Sequence, residues 1–180
     1  MTEAERPEVE GTSEGTPTPP DPAAEESVGP PVPDLRVARI LETRDHPNAD
    51  RLLVMDVDLG TERRQIVAGI VGHYELLELQ GLSIVVVANL QHAKLRGEVS
   101  QGMLLAAENS EGALGILLAP EAEPGTALRA VGGPPPTREI TFQEFHENTL
   151  LAGPDGVTLN GSPVEGTRLV MDRNVYGRLK

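Results

Sequence analysis

The 180-residue chain has no cysteine and no tryptophan, and phenylalanine and tyrosine together supply only 2% of its residues. Without cysteine, neither a disulfide framework nor a thiolate metal site can form, and the composition fits a reducing cytosol. The scarcity of aromatic side chains argues against the stacking platforms on which many proteins bind single-stranded nucleic acid.

The chain also has no long hydrophobic run. Its longest apolar stretch, residues 84–88, is far shorter than the roughly 20 residues that a membrane-spanning helix requires. The first thirty residues contain no Leu, Ile or Phe, so they lack the apolar stretch of a signal peptide. We therefore expect a soluble, cytoplasmic protein with no membrane partner.

Signatures of catalysis and of metal binding are missing as well. The four histidines do not have the spacing of metal ligands, and no glycine-rich phosphate loop occurs. Spacing alone supports no Ser, His and Asp arrangement. We predict a protein that is not an enzyme and needs no metal and no cofactor.

A net charge of −13 argues against nucleic acid as a partner, because polyanions usually bind basic surfaces. More than half of this excess lies in residues 1–33, which hold eight acidic residues against Arg6. Residues 34–133 carry −5 and residues 134–180 carry −1. Any RNA site on the folded part must therefore be a local cationic patch on an acidic background.

The N-terminal 33 residues hold eight of the sixteen prolines and almost no side chains that a core could bury. Such a segment cannot offset the entropy lost on ordering, so we predict a disordered tail that the fold does not need. Two roles stay open for it. It could be a solubilising tail, or a tether or acidic decoy that competes with RNA for basic side chains.

From residue 34 onward the pattern changes to short strands separated by glycines. Apolar residues alternate over residues 35–42, with a change of face typical of a bent barrel strand, and again over residues 53–59. Further strands are expected at residues 63–68, 83–89, 103–108 and 114–118. This number of short strands with little helix predicts a mostly β domain, a small closed barrel that ends near residue 133.

A proline run at residues 134–136 marks the boundary to a smaller α+β segment. Residues 140–150 place Phe142, Phe145 and Thr149 at helical spacing, which predicts a short amphipathic helix. The dipeptide at residues 160–161 is Asn-Gly, which favours a β-hairpin with a type I′ turn. A final strand is expected at residues 167–171.

Three segments together resemble the tRNA-binding domain family, and the resemblance runs continuously with matching spacing from residue 34 to about residue 132. The segments are HPNADRL at residues 46–52, RQIVAGIVGHY at residues 64–74 and VVVANLQHAKLRGEVSQGMLLAAE at residues 85–108. The family includes extensions of methionyl- and tyrosyl-tRNA synthetases and free-standing bacterial tRNA-binding proteins. The resemblance implies an OB-fold, a five-stranded barrel, with tRNA as the partner.

Residues 134–180 more faintly resemble the extra subdomain of the family's cytokine-like branch, through the hairpin DGVTLNGSPV at residues 155–164. In that branch the subdomain covers the surface through which bacterial relatives dimerise. The resemblance therefore implies three parts: a tail at residues 1–33, the OB-fold domain at residues 34–133, and a subdomain at residues 134–180. This subdomain would pack on the barrel and leave the protein monomeric.

The matching segments contain the residues that the resemblance and their polar groups make candidates for RNA binding. Lys94 and Arg96 flank Leu95, so in an extended strand both cations would face one side and Leu95 the core. Gly97 and Gly102 would leave little side-chain bulk for RNA to clear. The candidates are His46, Asn48, Arg51, Asn89, Gln91, His92, Lys94, Arg96, Ser100, Gln101 and Met103.

Purely structural roles stay open at several of these positions. Residues 45–50 have the composition of a turn in which polar side chains cap free amides. Lys94 and Arg96 could be a pair of solvated charges, and Met103 is better explained as a core residue than as a support beneath a base. Ser100 and Gln101 have groups that could bind phosphate, sugar or base edges.

Two sites depart from the family pattern. Gln91 and His92 stand where many relatives carry Lys-Pro, and Glu98 precedes Val99 where the usual order is Val-Glu. Both departures are expected to weaken the attraction to tRNA, although a protonated His92 would restore one charge in mildly acidic conditions.

The sequence thus predicts a non-catalytic module that binds tRNA mainly by shape and backbone and assists an aminoacyl-tRNA synthetase in trans. Two alternatives stay open. One branch of the family resembles an export-related chaperone that binds peptides, for which an exposed apolar groove would be expected. A scaffold that joins other proteins would instead use the tail and the appended subdomain.

Overall fold

The computed structural model of the chain describes residues 31–180, so nearly all of the predicted disordered tail lies outside the described residues. No helix in this described part is long and apolar enough to span a membrane. Up to residue 133, the elements in chain order are β1 (Leu35–Asp45), β2 (Leu53–Asp58), β3 (Arg63–Ala68), α1 (Leu76–Leu79), β4 (Ser83–Val87), β5 (Ala93–Leu95), β6 (Glu98–Ser100), β7 (Met103–Leu104), β8 (Ala106–Glu108), β9 (Leu114–Leu118) and β10 (Ala127–Ala130).

Strand β1 organises a nearly closed barrel. Its first half pairs with β4 and β10 and its second half with β2, and the register with β2 shifts between Ile40 and Glu42. This β-bulge bends the strand at the point where its alternation changes face. Strand β3 continues the meander beyond β2, while β4 also pairs with β7 and β9. The predicted mostly β barrel of OB type is confirmed.

Two expectations in this region were only partly right. The strand expected at residues 103–108 is divided at Leu105, whose backbone N–H donates to Val85 O while the segments on either side pair with different strands. The pattern also did not indicate β10, whose four residues pair with the start of β1.

The C-terminal part consists of α2 (Phe142–Glu147), β11 (Leu150–Gly153), β12 (Gly156–Leu159), β13 (Ser162–Glu165), β14 (Val170–Met171) and β15 (Gly177–Arg178). Helix α2 begins with a capping box in which Thr141 Oγ1 accepts from the Glu144 N–H and the Glu144 carboxylate accepts from the Thr141 N–H. It ends at Glu147, so Thr149 is not helical. The predicted helix is therefore shorter than residues 140–150.

The hairpin between β12 and β13 has the expected turn. Asn160 and Gly161 both have positive φ, 51° and 87°, as a type I′ turn requires at its two central residues. The final strand covers only Val170–Met171 of the expected residues 167–171, and β15 was not expected.

The C-terminal elements share a sheet and a core with the barrel. Strand β13 pairs with β10 and β14 with β9. The N–H groups and carbonyls of Lys180 and Ala106 exchange two hydrogen bonds. One hydrophobic cluster contains Val85 and Leu117 from the barrel together with Phe145 from α2. The two parts of the chain therefore bury apolar surface against each other.

A polar contact joins the same two parts. Tyr74 Oη donates to Asp172 Oδ2 at 2.6 Å, and Asp172 Oδ1 accepts from the Ile116 N–H at 2.8 Å. The guanidinium of Arg173 lies 3.9 Å from the centre of the Tyr74 ring. Burial and the hydrogen bond to Asp172 raise the pKa of Tyr74, so its phenol stays protonated at neutral pH.

Candidate nucleic-acid interface

Strands β5 and β6 form a two-stranded sheet separate from the barrel sheet. Leu95 pairs with Glu98, which leaves Arg96 and Gly97 as the two turn residues. Their φ angles of 50° and 100° correspond to a type I′ turn, where glycine avoids the steric cost of a Cβ. We call residues 93–100 the cationic hairpin.

This turn corrects the expectation of an extended Lys94–Arg96 segment. Lys94 lies in β5, but Arg96 has a left-handed backbone, so strand alternation does not determine where its side chain points. Both side chains are nonetheless exposed. Within residues 31–180, neither Lys94, Arg96 nor the exposed Arg51 forms an ion pair. Three cations without an ion pair in this described part thus come from two of the three matching segments, Arg51 from residues 46–52 and the other two from residues 85–108.

The loop at residues 46–50 contacts the turn of the cationic hairpin. His46 Nε2 lies 2.7 Å from Leu95 O, and His46 Nδ1 accepts from the Asn48 N–H at 3.0 Å. Because a carbonyl can only accept, Nε2 is the donor to Leu95 O, and Nδ1 is the acceptor of the Asn48 N–H. Asn48 Nδ2 donates to Arg96 O at 3.2 Å. Both ring nitrogens of the buried His46 are therefore used within the protein.

Ser100 and Gln101 connect the hairpin to the open side of the barrel, where β3 pairs with β2 alone among the described strands. The buried Ser100 Oγ accepts from the Val67 N–H at 3.0 Å and donates to Gly102 O at 2.8 Å. Gln101 exchanges two hydrogen bonds with the backbone of Gln65, through its own N–H and through Oε1. Ser100 thus has a structural role, and Gln101 keeps only its amide nitrogen for a ligand.

Close packing inside the protein requires glycine at position 102. A Cβ at this position would lie 2.9 Å from Ile66 Cδ1 and 3.0 Å from Val87 O, and the residue is buried. The expectation that Gly102 leaves space for RNA is therefore wrong. Gly97 is required by its positive φ, which few other residues adopt without strain.

Asn89 and Met103 also face inward. Asn89 Nδ2 donates to Val32 O and to Arg138 O, and its Oδ1 accepts from the Asp34 N–H at 2.7 Å. Its side chain thereby ties the segments before β1 and after β10 to the end of β4. Met103 is partly buried against the hydrophobic core.

Gln91 and His92 are exposed, and the backbone N–H of Gln91 donates to Ile140 O. Of the eleven candidates, the structure therefore exposes the side chains of Asn48, Arg51, Gln91, His92, Lys94 and Arg96.

The negative charge of Glu98, the acidic residue of the hairpin, is compensated by Arg44. Glu98 Oε2 accepts from Arg44 Nη2 at 3.3 Å and from Gln65 Nε2 at 2.9 Å. The hydrogen bond from Arg44 is the main cause that lowers the pKa of Glu98, so the pair is ionised and its charges cancel. Sequence reasoning missed Arg44 and Gln65, although the alternation in β1 and β3 could have indicated their outward side chains.

A polar cleft at the base of the hairpin was also missed. It is lined by Leu41, Glu42, Asp56, Arg63, Arg64, Gln65 and Gln101. Arg64 donates to the Gln101 and Ala88 carbonyls and to the Glu62 carboxylate, so it holds β3 against the ends of neighbouring segments. In residues 31–180, no three His, Cys, Asp or Glu side chains are grouped so that they could hold a metal ion.

Sequence comparisons match the same part of the chain. The family model "Putative tRNA binding domain" matches residues 35–127. Methionine–tRNA ligase from Thermococcus kodakarensis is 51% identical over 96 residues, which are 53% of this chain and 13% of that protein. The enzyme from Thermotoga maritima is 59% identical over 78 residues, 43% of this chain and 12% of that protein. The chain therefore spans about an eighth of the length of these relatives.

Two solved structures are similar to the chain. A MetRS-related protein from Pyrococcus horikoshii is 32% identical with a TM-score of 0.50, covering 52% of this chain and 87% of that one. The C-terminal domain of Plasmodium vivax p43 has a TM-score of 0.68 at 20% identity, covering 82% of this chain and 96% of that one. The second likeness concerns the fold alone, and it extends over the barrel and the C-terminal elements together.

We expect Ser100→Ala to lower the free energy of unfolding by roughly 1–3 kcal/mol, because the Val67 N–H and Gly102 O would lose a partner in a buried site. Ser110→Ala, at an exposed turn, is the matched control and should change stability little. Urea unfolding of the three proteins checks this. Equal midpoints for the two variants would contradict the structural role of Ser100.

Proposed function

We propose, because this chain belongs to the tRNA-binding domain family, that it is a non-catalytic module which binds tRNA by shape and backbone contacts. The observation that carries the proposal is that Arg51, Lys94 and Arg96 are exposed and form no ion pair within residues 31–180, in two segments inside the family match. Cations that have no partner within residues 31–180 can neutralise phosphates and release counterions from the RNA. Such contacts give orientation and affinity but little sequence information.

Polar groups beside these cations would complete the contact. The side-chain oxygen of Asn48, the amide nitrogen of Gln101 and the exposed side chain of Gln91 offer hydrogen bonds to a phosphate or a 2′-hydroxyl. We assign His46, Asn89, Ser100 and Met103 to the support of this surface, because their side chains face the protein.

We further propose that an aminoacyl-tRNA synthetase is a partner, and that the chain helps it in trans by holding tRNA. Its relatives include methionine–tRNA ligases, in which a similar segment belongs to a much longer chain. A module that binds both tRNA and a synthetase would raise the effective concentration of one near the other without contributing chemistry.

We expect the Lys94→Ala, Arg96→Ala double variant to bind all tRNAs more weakly than wild type. If wild type neutralises about three or four phosphates, its log–log slope of affinity against salt is about −2 to −4, and the double variant loses about two units of slope. Filter binding of total tRNA across a salt series measures both quantities. The fold should persist, because exposed charges contribute little to stability.

The matched control for this double variant is Arg168→Ala with Lys180→Ala, which changes the net charge equally but removes exposed cations from the C-terminal part. Equal affinity and slope in wild type and the hairpin variant would place the site elsewhere. Failure of wild type to bind tRNA at low salt would refute the proposed function and favour the peptide-binding alternative.

Glu98→Gln should strengthen tRNA binding by about threefold to tenfold at low salt, because it removes a negative charge and leaves Arg44 free to meet a phosphate. Glutamine keeps the size of the side chain and can still accept from Gln65. Arg44→Ala should weaken binding by a similar factor, because it leaves the Glu98 carboxylate without its counter-charge, and the double variant should bind about as wild type does. The same binding assay on the four proteins checks this, and an Arg44→Ala variant that binds as tightly as wild type would contradict the compensation of charge.

We also propose that residues 134–180 cover the barrel surface that would otherwise be open to a second copy, so that the protein is monomeric. The pairing of β13 with β10 and of β14 with β9, together with the shared core, supports this. Sedimentation equilibrium of the full chain should give a single species of 19.2 kDa. A stable species of twice that mass would contradict the proposal.

A further inference from the structure

We infer that His46 is a positioning residue for the proposed tRNA contact, because it fixes the cationic hairpin to the loop at residues 46–50. The inference rests on the proposed function for its consequence, tRNA affinity. Its structural part concerns only where the hairpin is held, and that part can be tested without RNA.

The cationic hairpin needs such a support because its strands are not hydrogen-bonded into the barrel sheet. Within residues 31–180, its two strands pair only with each other. The end that leads back to the barrel is held by Ser100 and by Gln65, whose Nε2 donates to Val99 O at 2.9 Å. The turn end carries Arg96, and the loop at residues 46–50 is what contacts it there.

The imidazole of His46 forms hydrogen bonds to both the hairpin and the loop. Nε2–H donates to Leu95 O in the hairpin, while Nδ1 accepts the Asn48 N–H in the loop. The ring is only 6% exposed, so water competes little for either bond. Nδ1 also fixes the backbone of Asn48, whose side chain then reaches Arg96 O.

Loss of this support should weaken binding in a recognisable way. A hairpin that moves at its turn end must be ordered when RNA binds, which lowers affinity. The cations themselves remain, so the number of counterions released, and with it the salt slope, should stay the same. Removal of a cation instead changes the slope.

Two substitutions at this position separate the two bonds. In His46→Asn the amide oxygen takes the place of Nδ1 and can accept from Asn48, but the side chain is too short to reach Leu95 O. In His46→Gln the amide nitrogen takes the place of Nε2 and can donate to Leu95 O. We expect His46→Asn to weaken tRNA binding about tenfold at unchanged salt slope, and His46→Gln to weaken it less than about threefold.

Asn48→Ala provides a third variant that leaves the buried ring in place, since the Asn48 side chain is exposed. It should lose affinity to an intermediate extent. Thermal unfolding of every variant shows whether it is folded. Amide hydrogen exchange of residues 93–100, without RNA, should be faster in His46→Asn than in His46→Gln or wild type.

The possible outcomes are distinguishable. Equal tRNA affinity of His46→Asn and His46→Gln, or a slope reduced in His46→Asn as it is when Lys94 is removed, would overturn the inference. Equal hairpin exchange in the two variants would overturn it independently of RNA. If wild type binds no tRNA but the exchange differs as expected, the proposed function fails while the positioning of the hairpin by His46 stands.

Discussion

The rest of the structure depends on the shared pairing of strand β1. Its first residues lie between β4 and β10, so both edges of its backbone are occupied there, and from Arg39 onward, across the bulge between Ile40 and Glu42, it pairs with β2. A straight strand of eleven residues could not form hydrogen bonds with neighbouring strands that diverge around a barrel, whereas a strand with a β-bulge can. Strand β10 in turn pairs with β13, so the C-terminal elements are attached to the barrel next to this strand.

The pairing of cations with nearby carboxylates determines which part of this acidic chain can bind an anion. An ion pair at the surface contributes little stability, but it removes a cation from the field that a ligand experiences. Arg44 is compensated by Glu98 and Arg64 by Glu62, whereas Lys94 and Arg96 have no such partner in the described part of the chain. Affinity for RNA then depends on the arrangement of a few unpaired charges, and the net charge of the chain is a poor guide to it.

The sequence predicted those features that local pattern determines. Strands β3 and β9 have the expected bounds because each contains a short run of β-prone apolar residues next to a glycine. Asn160 with Gly161 specifies its turn through backbone preference alone. The Arg96 turn was missed because arginine rarely adopts a positive φ, and Gly97 alone is compatible with many turns.

At the candidate site, the sequence predicts even less about the role of each side chain. The matching segments contain the residues that form this region, but they do not separate a side chain that faces RNA from one that holds the surface in place. His46, Asn89 and Ser100 are polar and lie in those segments, and their hydrogen bonds go to carbonyls and N–H groups distant in sequence. Only the tertiary fold determines such partners.

The contact between Tyr74 and Asp172 makes Tyr74 a natural spectroscopic probe. The chain has two tyrosines and no tryptophan, so its absorbance and emission near 280–300 nm come from Tyr74 and Tyr176 alone. Tyr176 is 41% exposed, whereas Tyr74 is bonded to a carboxylate and lies under a guanidinium from the C-terminal segment. A change in the ultraviolet signal of Tyr74 therefore follows the joint between the barrel and the C-terminal segment, at one defined point of the fold.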